Sequence, residues 1–273
     1  MNRPRVSTIR LNRDWPAVEI LYEDHDFLAL NKPARLLAVP DRFDKTRLDL
    51  MSLLQAARPA ESLANVHRLD FNTSGVFIVA KNGEAFRKLV RQFRDRGTRK
   101  TYVAIVSGQP VDSSQTIDLP IGRHPKVPGR ARIDPIRGSN ARSIVSIQEN
   151  FRGFALVEVV IETGRMHQIR VHLQAIGCPL VGDTDYGGEP LLLSGLKRGY
   201  KPKGDEPERP LLDRPALHAE QLTLLHPANP RRFVGQAARL PSSGAPGKPL
   251  TITAPWPKDL TIALKYLRKF ASS

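Results

Sequence analysis

The stretch Val76-Phe77-Ile78-Val79-Ala80 limits what this chain can fold into more than any other. It is apolar throughout, too short for an independent helix, and entered through the turn residues Asn72-Thr73-Ser74-Gly75. A run of that kind reads as a buried strand. Other short runs follow the same logic. Val18 to Leu30 reads as two strands around the acidic turn Glu23 to Asp26, closed by Asn31-Lys32-Pro33. Lys100 to Ser107, Ala141 to Ile147, Phe154 to Ile161 and Leu250 to Ala254 are further strands. Helical patterns are few. They cover Leu48–Ala57 (ended by Pro59), Glu84–Arg94, His167–Ile176 (stopped by Gly177 and Pro179) and Asp259–Phe270. Many strands with few long helices predict an α+β fold around a central, mostly antiparallel mixed sheet flanked by helices and loops.

Residues 1–17 read as a polar leader and 18–273 as one catalytic-type domain. Three basic or irregular loops interrupt it, at about 122–140, 189–214 and 235–249. The chain carries 42 Lys plus Arg against 27 Asp plus Glu, a formal charge of +15, which favours a phosphate-rich partner. Cys178 is the only cysteine, so an intramolecular disulfide and a thiolate metal cluster are both excluded. The basic N-terminus lacks the apolar core of a signal peptide, and no apolar run approaches the roughly 18 residues of a membrane helix. The expectation is a soluble, cytoplasmic protein without a membrane partner.

Three segments could carry chemistry. Asp70 stands between His67-Arg68 and the Thr73-Ser74-Gly75 turn, where hydroxyl and backbone donors could keep a carboxylate ionised for nucleophilic or base work. The plain alternative is a turn carboxylate. In Gly164-Arg165-Met166-His167-Gln168-Ile169-Arg170-Val171-His172, the histidines are five apart and fall on different helix faces, against a metal site. Arg165 at the helix entrance could grip a carboxylate or phosphate, and Arg170 is a phosphate ligand or a solvated charge. Tyr102 opens a strand beside Arg99-Lys100 and could offer its ring to a base, although strand tyrosines usually pack. Lys32-Pro33 and Gly182-Asp183-Thr184-Asp185-Tyr186-Gly187 look like architectural turns first. No phosphate-cradling or dinucleotide-binding glycine motif occurs, so no nucleotide cofactor is expected.

Taken in order, these pieces resemble the RluA-type family of RNA pseudouridine synthases. The resemblance rests on Leu21-Tyr22-Glu23-Asp24 with Asn31-Lys32-Pro33, on His67-Arg68-Leu69-Asp70 through Thr73-Ser74-Gly75, and on Tyr102 to Gly108. It continues through Thr163-Gly164-Arg165 with His167 to His172, then Gly182-Asp183 with Tyr186-Gly187, and Leu217-His218-Ala219 before His226-Pro227. Each element alone is weak, and the ordered set is specific. The resemblance implies isomerisation of uridine in RNA to pseudouridine, with no cofactor or metal. Ribosomal RNA is the default target and transfer RNA the alternative, no obligatory protein partner is expected, and the lack of any coiled-coil pattern points to a monomer. It implies Asp70 as the catalytic carboxylate, Tyr102 stacked on the target base and Arg165 paired with Asp70. Arg68 is implied to contact RNA, and His67, Thr73 and Arg170 are expected beside it. The chain departs from the family pattern at Arg35, where glycine is usual, at Val39-Pro40 and at Met166. With only about 17 residues before the core, RNA selection is expected from the core and its loops. Two rivals remain at this point. One is an RNA-binding or ribosome-assembly factor without catalysis. The other is a nucleoside hydrolase, which would need a second carboxylate beside Asp70.

Overall fold

The computed structural model describes residues 7–11, 17–41, 44–200, 206–228 and 249–272. Along the chain run β1 (Thr8–Ile9), β2 (Val18–Glu23), β3 (Phe27–Lys32), α1 (Leu50–Ala57), β4 (Ala64–Asn65), β5 (Ser74–Ala80), α2 (Gly83–Arg94) and β6 (Arg99–Ser107). Next come β7 (Ser114–Asp118), β8 (Ile121–Arg123), β9 (Ala131–Ile133), β10 (Arg142–Phe151), β11 (Phe154–Ile161) and α3 (Gln168–Ala175). The last elements are α4 (Leu193–Leu196), β12 (Leu217–Leu225), β13 (Pro249–Thr253) and α5 (Lys258–Phe270). The fold is α+β, as the sequence predicts. Two compact units divide it, one comprising Met1–Lys100 with Ala219–Pro255, the other Thr101–His218 with Trp256–Ser273.

The first unit is ordered β1-β2-β3-β5-β12, with β4 added to β5 and β13 to β12. Strands β2 and β3 form an antiparallel hairpin. Its acidic turn closes because Asp24 Oδ1 accepts from the backbone N–H groups of Asp26 and Phe27. Strand β3 pairs antiparallel with β5 from Phe27↔Ala80 to Lys32↔Gly75. Every residue of β5 is buried, so its apolar run is packed on both faces. Helix α2 starts where Asn82 Oδ1 accepts from Ala85 N–H. Its apolar face carries Phe86, Leu89, Val90 and Phe93 onto Phe27, Ile78 and Leu222. Each fully buried side chain of this size stabilises by about 1.5–3 kcal/mol. Residues 1–17, read as a leader, contribute β1, which pairs with Val18–Glu19.

In the second unit the order is β6-β11-β10-β7. Strands β10 and β11 form a long antiparallel hairpin that turns at Gly153, whose φ of +79° needs no Cβ. Helix α5 packs Leu260, Ala263, Leu264 and Leu267 against Ile105, Phe151 and Leu156. Its first turn is fixed by Arg214, buried, which donates twice to the Asp259 carboxylate. The basic segment 122–140 is a hairpin, β8 with β9, whose apolar residues Ile121 and Ala131 cluster with Val171 and Tyr186. Arg123, Lys126, Arg132 and Arg137 remain exposed on it. Of the 189–214 loop, the described part forms α4 and short turns, and most of 235–249 lies outside the described residues. Among the described residues no helix is long and apolar enough to cross a membrane.

Candidate active site

In the first unit the chain enters β5 through a tight turn. Thr73 N–H donates to the Asp70 carbonyl at 3.1 Å, leaving Phe71 and Asn72 at the apex. Two features fasten this turn. Gly75 has φ +116°, and a Cβ there would lie 2.1 Å from the Ala219 carbonyl oxygen, so the β5 and β12 backbones approach too closely for a side chain. Lys32 is fully buried, and its Nζ donates to the carbonyls of Pro33 at 2.8 Å, Leu36 at 2.6 Å and Phe71 at 3.3 Å. A buried ammonium is tolerated where acceptors saturate it. Here those acceptors belong to two loops, so one charge binds the Lys32–Leu36 turn to the Asp70 turn. Arg35, in the same stretch, is held at φ +63°. That is the left-handed region, where glycine costs nothing and arginine costs about 1–2 kcal/mol.

Asp70 itself is half-buried, and among the described residues of its unit its carboxylate has no hydrogen bond or ion pair. Arg68 is exposed beside it. His67 and Thr73, expected at the RNA, point elsewhere. Thr73 is buried. The His67 ring stacks on Phe93 at 4.7 Å and tilts against Phe77, while its Nε2 accepts from Ile78 N–H at 2.9 Å. Burial, then the nearby Lys100 charge, lowers its pKa to about 3, so the ring is neutral and ties the Asp70 segment to β5. Lys100 is in turn lowered to about 8 by burial and by Arg96.

The second unit holds Tyr102, Arg165 and Arg170. Tyr102 is buried near the start of β6. Arg165 lies on an exposed turn, and its Nε donates to the Asn140 carbonyl at 3.0 Å. After it, His167 adopts φ +52°, and α3 begins one residue later than the sequence pattern places it. Arg170 lies buried on that helix. It donates twice to Asp183, at 2.7 and 2.6 Å, and once to Asp185, with its guanidinium 4.6 Å from the Tyr186 ring centre. Expected to bind RNA phosphate, it is instead occupied by protein carboxylates. Burial opposes ionisation of Asp185, but hydrogen bonds from Arg170 and Arg130 outweigh it and hold that carboxyl low. His172 Nε2–H donates to the Leu119 carbonyl, and its Nδ1 bonds Ser143 Oγ, inside the fold. No group of three His, Cys, Asp or Glu side chains among the described residues could hold a metal ion.

The family described as RNA pseudouridylate synthase matches residues 26–175, which include every one of these positions except Asp183, Asp185, Tyr186 and Ala219. The chain is 39% identical to the dual-specificity RNA pseudouridine synthase RluA of Salmonella typhimurium, covering 78% of this chain and 89% of that protein. It is 35% identical to the ribosomal large subunit pseudouridine synthase D of Xanthomonas campestris, covering 92% and 70%. The chain belongs to the RluA-type family of RNA pseudouridine synthases. Its backbone agrees with this membership. Human RNA pseudouridylate synthase domain containing 4 superposes with a TM-score of 0.65 at 25% identity, over 91% of this chain and 92% of that one. An RNA pseudouridine synthase is an isomerase that modifies RNA, which removes the non-catalytic and hydrolase readings.

Two residues of this pseudouridine synthase escaped the sequence reading. Lys32 looked like part of a turn, and only a fully buried position shows it as the clamp on the Asp70 segment. Gln168 was an unassigned letter in a motif. Its side chain reaches back three residues to the Arg165 N–H across the turn before α3, a bond that the letter alone does not signal.

Proposed function

We propose that this enzyme isomerises uridines in ribosomal RNA, with Asp70 as the catalytic carboxylate, Arg165 as its cationic partner and Tyr102 as the platform for the target uracil. The isomerisation breaks the N1–C1′ bond, turns the uracil and forms a C5–C1′ bond. The proton leaves C5 and one is gained at N1, so the balance requires no oxidant, reductant or group donor. Asp70 acts at the ribose, either by attacking C1′ or by assisting elimination across C1′ and C2′. An ionised carboxylate serves both routes, and a guanidinium partner favours that charge state.

The observation that carries this reading is an Asp70 carboxylate left unspent by its own unit, on a turn fastened by Lys32, Gly75 and His67. A carboxylate that built its own turn would accept from that turn's backbone N–H groups, as Asp24 does between β2 and β3. Reaching a uridine in folded RNA means extruding it, at a cost of a few kcal/mol. Phosphate contacts from Arg68 and from the exposed cations of the β8–β9 hairpin offset that cost. His67, Thr73 and Arg170 then shape the site from within. Ribosomal RNA is favoured because a relative named for the ribosomal large subunit aligns over 92% of this chain, and transfer RNA is the second substrate class. Pseudouridine mapping of total RNA from cells with and without the gene tests the reading. Loss of one or more ribosomal pseudouridines is expected, and an unchanged map in every RNA class overturns it.

A further inference from the structure

We infer that Gln168 is a positioning residue that sets the aim of the Arg165 guanidinium. The inference rests on the role proposed above for Arg165, and its geometry lies wholly within one unit. Gln168 is buried, and its side-chain amide uses its full hydrogen-bonding capacity. Oε1 accepts from Thr163 Oγ1 at 2.7 Å and from Arg165 N–H at 3.1 Å. Nε2 donates to the Arg142 carbonyl at 2.9 Å and to Ser143 Oγ at 3.0 Å. Turning the amide over would set a donor against the Arg165 N–H and its oxygen against the Arg142 carbonyl, so one orientation is selected.

The backbone completes the grip. Gln168 N–H donates to the Arg165 carbonyl at 3.1 Å, so Arg165 is held by the same residue at both its N–H and its C=O. The bond back to the Arg165 N–H closes the turn before α3, whose own N-cap residue, His167, makes no side-chain cap. The two bonds to Arg142 and Ser143 do something else, since they reference the Arg165 turn to strand β10. With Nε of Arg165 bonded to the Asn140 carbonyl, the side chain leaves that turn in a fixed direction. The left-handed His167 supports the same purpose. Its φ of +52° is unfavourable for histidine, and its ring is retained by the Tyr186 hydroxyl at 2.9 Å and by Arg170 at 3.2 Å. Strain kept between two anchored residues is a mark of a position whose geometry matters.

Gln168→Met preserves volume and deletes all four side-chain bonds. Nitrogen NMR of the Arg165 Nε–H should show its protection from solvent exchange lost in the variant. On RNA, kcat should fall about 10- to 100-fold, the scale of an ångström's misplacement, with KM within about threefold of the parent. In an Arg165→Met background the same change should cost less than about twofold, because the group being aimed is gone. Undiminished Arg165 Nε–H protection, or a loss as large in the Arg165→Met background as in the parent, overturns the inference. Lost protection in a protein whose parent turns over no uridine would leave the positioning intact and sink the role of Arg165 instead. If Gln168→Met fails to fold, Thr163→Val deletes one bond at Oε1 and carries the same tests at smaller amplitude.

Discussion

Gly75→Ala probes how the Asp70 turn is fastened to the sheet. An added Cβ would stand 2.1, 2.6 and 2.8 Å from the carbonyl oxygen, carbonyl carbon and nitrogen of Ala219. All are backbone atoms of β12, which is tied to β13 by five registered pairs and cannot yield as a flexible side chain would. Two costs therefore add. Holding alanine near φ +116° costs about 1–3 kcal/mol. Forcing the two backbones apart adds about 1–3 kcal/mol of overpacking. Alanine recovers about 0.5–1 kcal/mol by restricting the unfolded chain. The net loss is roughly 1–5 kcal/mol, a large share of the ~5–15 kcal/mol typical of a folded domain. Urea unfolding measures it. With a slope of about 1–3 kcal/mol per molar, the midpoint should fall by the order of 1–2 M. A midpoint within about 0.2 M of the parent would refute the close approach and with it the fastening of the turn.

Charge placement separates structural from RNA-facing arginines. Arg170→Met breaks a buried pair and should cost about 3–5 kcal/mol in unfolding. Arg68→Met, on an exposed residue, should leave stability within about 0.5 kcal/mol and lower the salt dependence of RNA binding by about one counterion. The opposite pattern, a weaker salt slope with unchanged stability for Arg170→Met, would return that residue to the RNA. His67 gives a pH signature. The residue is half-buried overall, but its ring is enclosed by Phe93 and Phe77, and its folded pKa of about 3 lies below the usual value. Its contribution is complete above pH ~6.5 and lost as pH falls from there towards 3, on the order of 2 kcal/mol by pH 5. His67→Gln should flatten that part of the profile, leaving the smaller slope from His172, which burial also lowers. An equally steep profile in the variant contradicts the assignment.

What the sequence disclosed depended on how local the cause was. Strand β5 and helix α2 announce themselves through an uninterrupted apolar run and through an amphipathic stretch, and both elements stand within two residues of their expected bounds. Strand β12 gave no such signal. Its buried His218 and Thr223 interrupt the apolar pattern, and its partner β13 lies beyond a long intervening segment. The same holds for the site. Asp70, its turn and Gly75 are adjacent in sequence and were legible together. The burial of Lys32 was not, because Phe71, which supplies one of its acceptors, is 39 residues away. Nor was the fate of Arg170, whose guanidinium meets Asp183 only after the chain has turned back through thirteen residues. A solvated helix charge and a buried ion pair look alike until the fold supplies the partner. Arg35 is intermediate. Its departure from glycine was visible, and the left-handed backbone there gives the physical meaning.

The account stands or falls on the Asp70 carboxylate as the group that acts on the nucleotide. Tritium release from RNA carrying 5-labelled uridine reads the loss of the C5 hydrogen that accompanies C5–C1′ bond formation, and thermal melting confirms that a variant is folded. Because its own unit makes no use of the carboxylate, Asp70→Asn should melt with the parent and still bind RNA while releasing no tritium above background. A folded Asp70→Asn enzyme that turns over within about tenfold of the parent would place the chemistry on another residue.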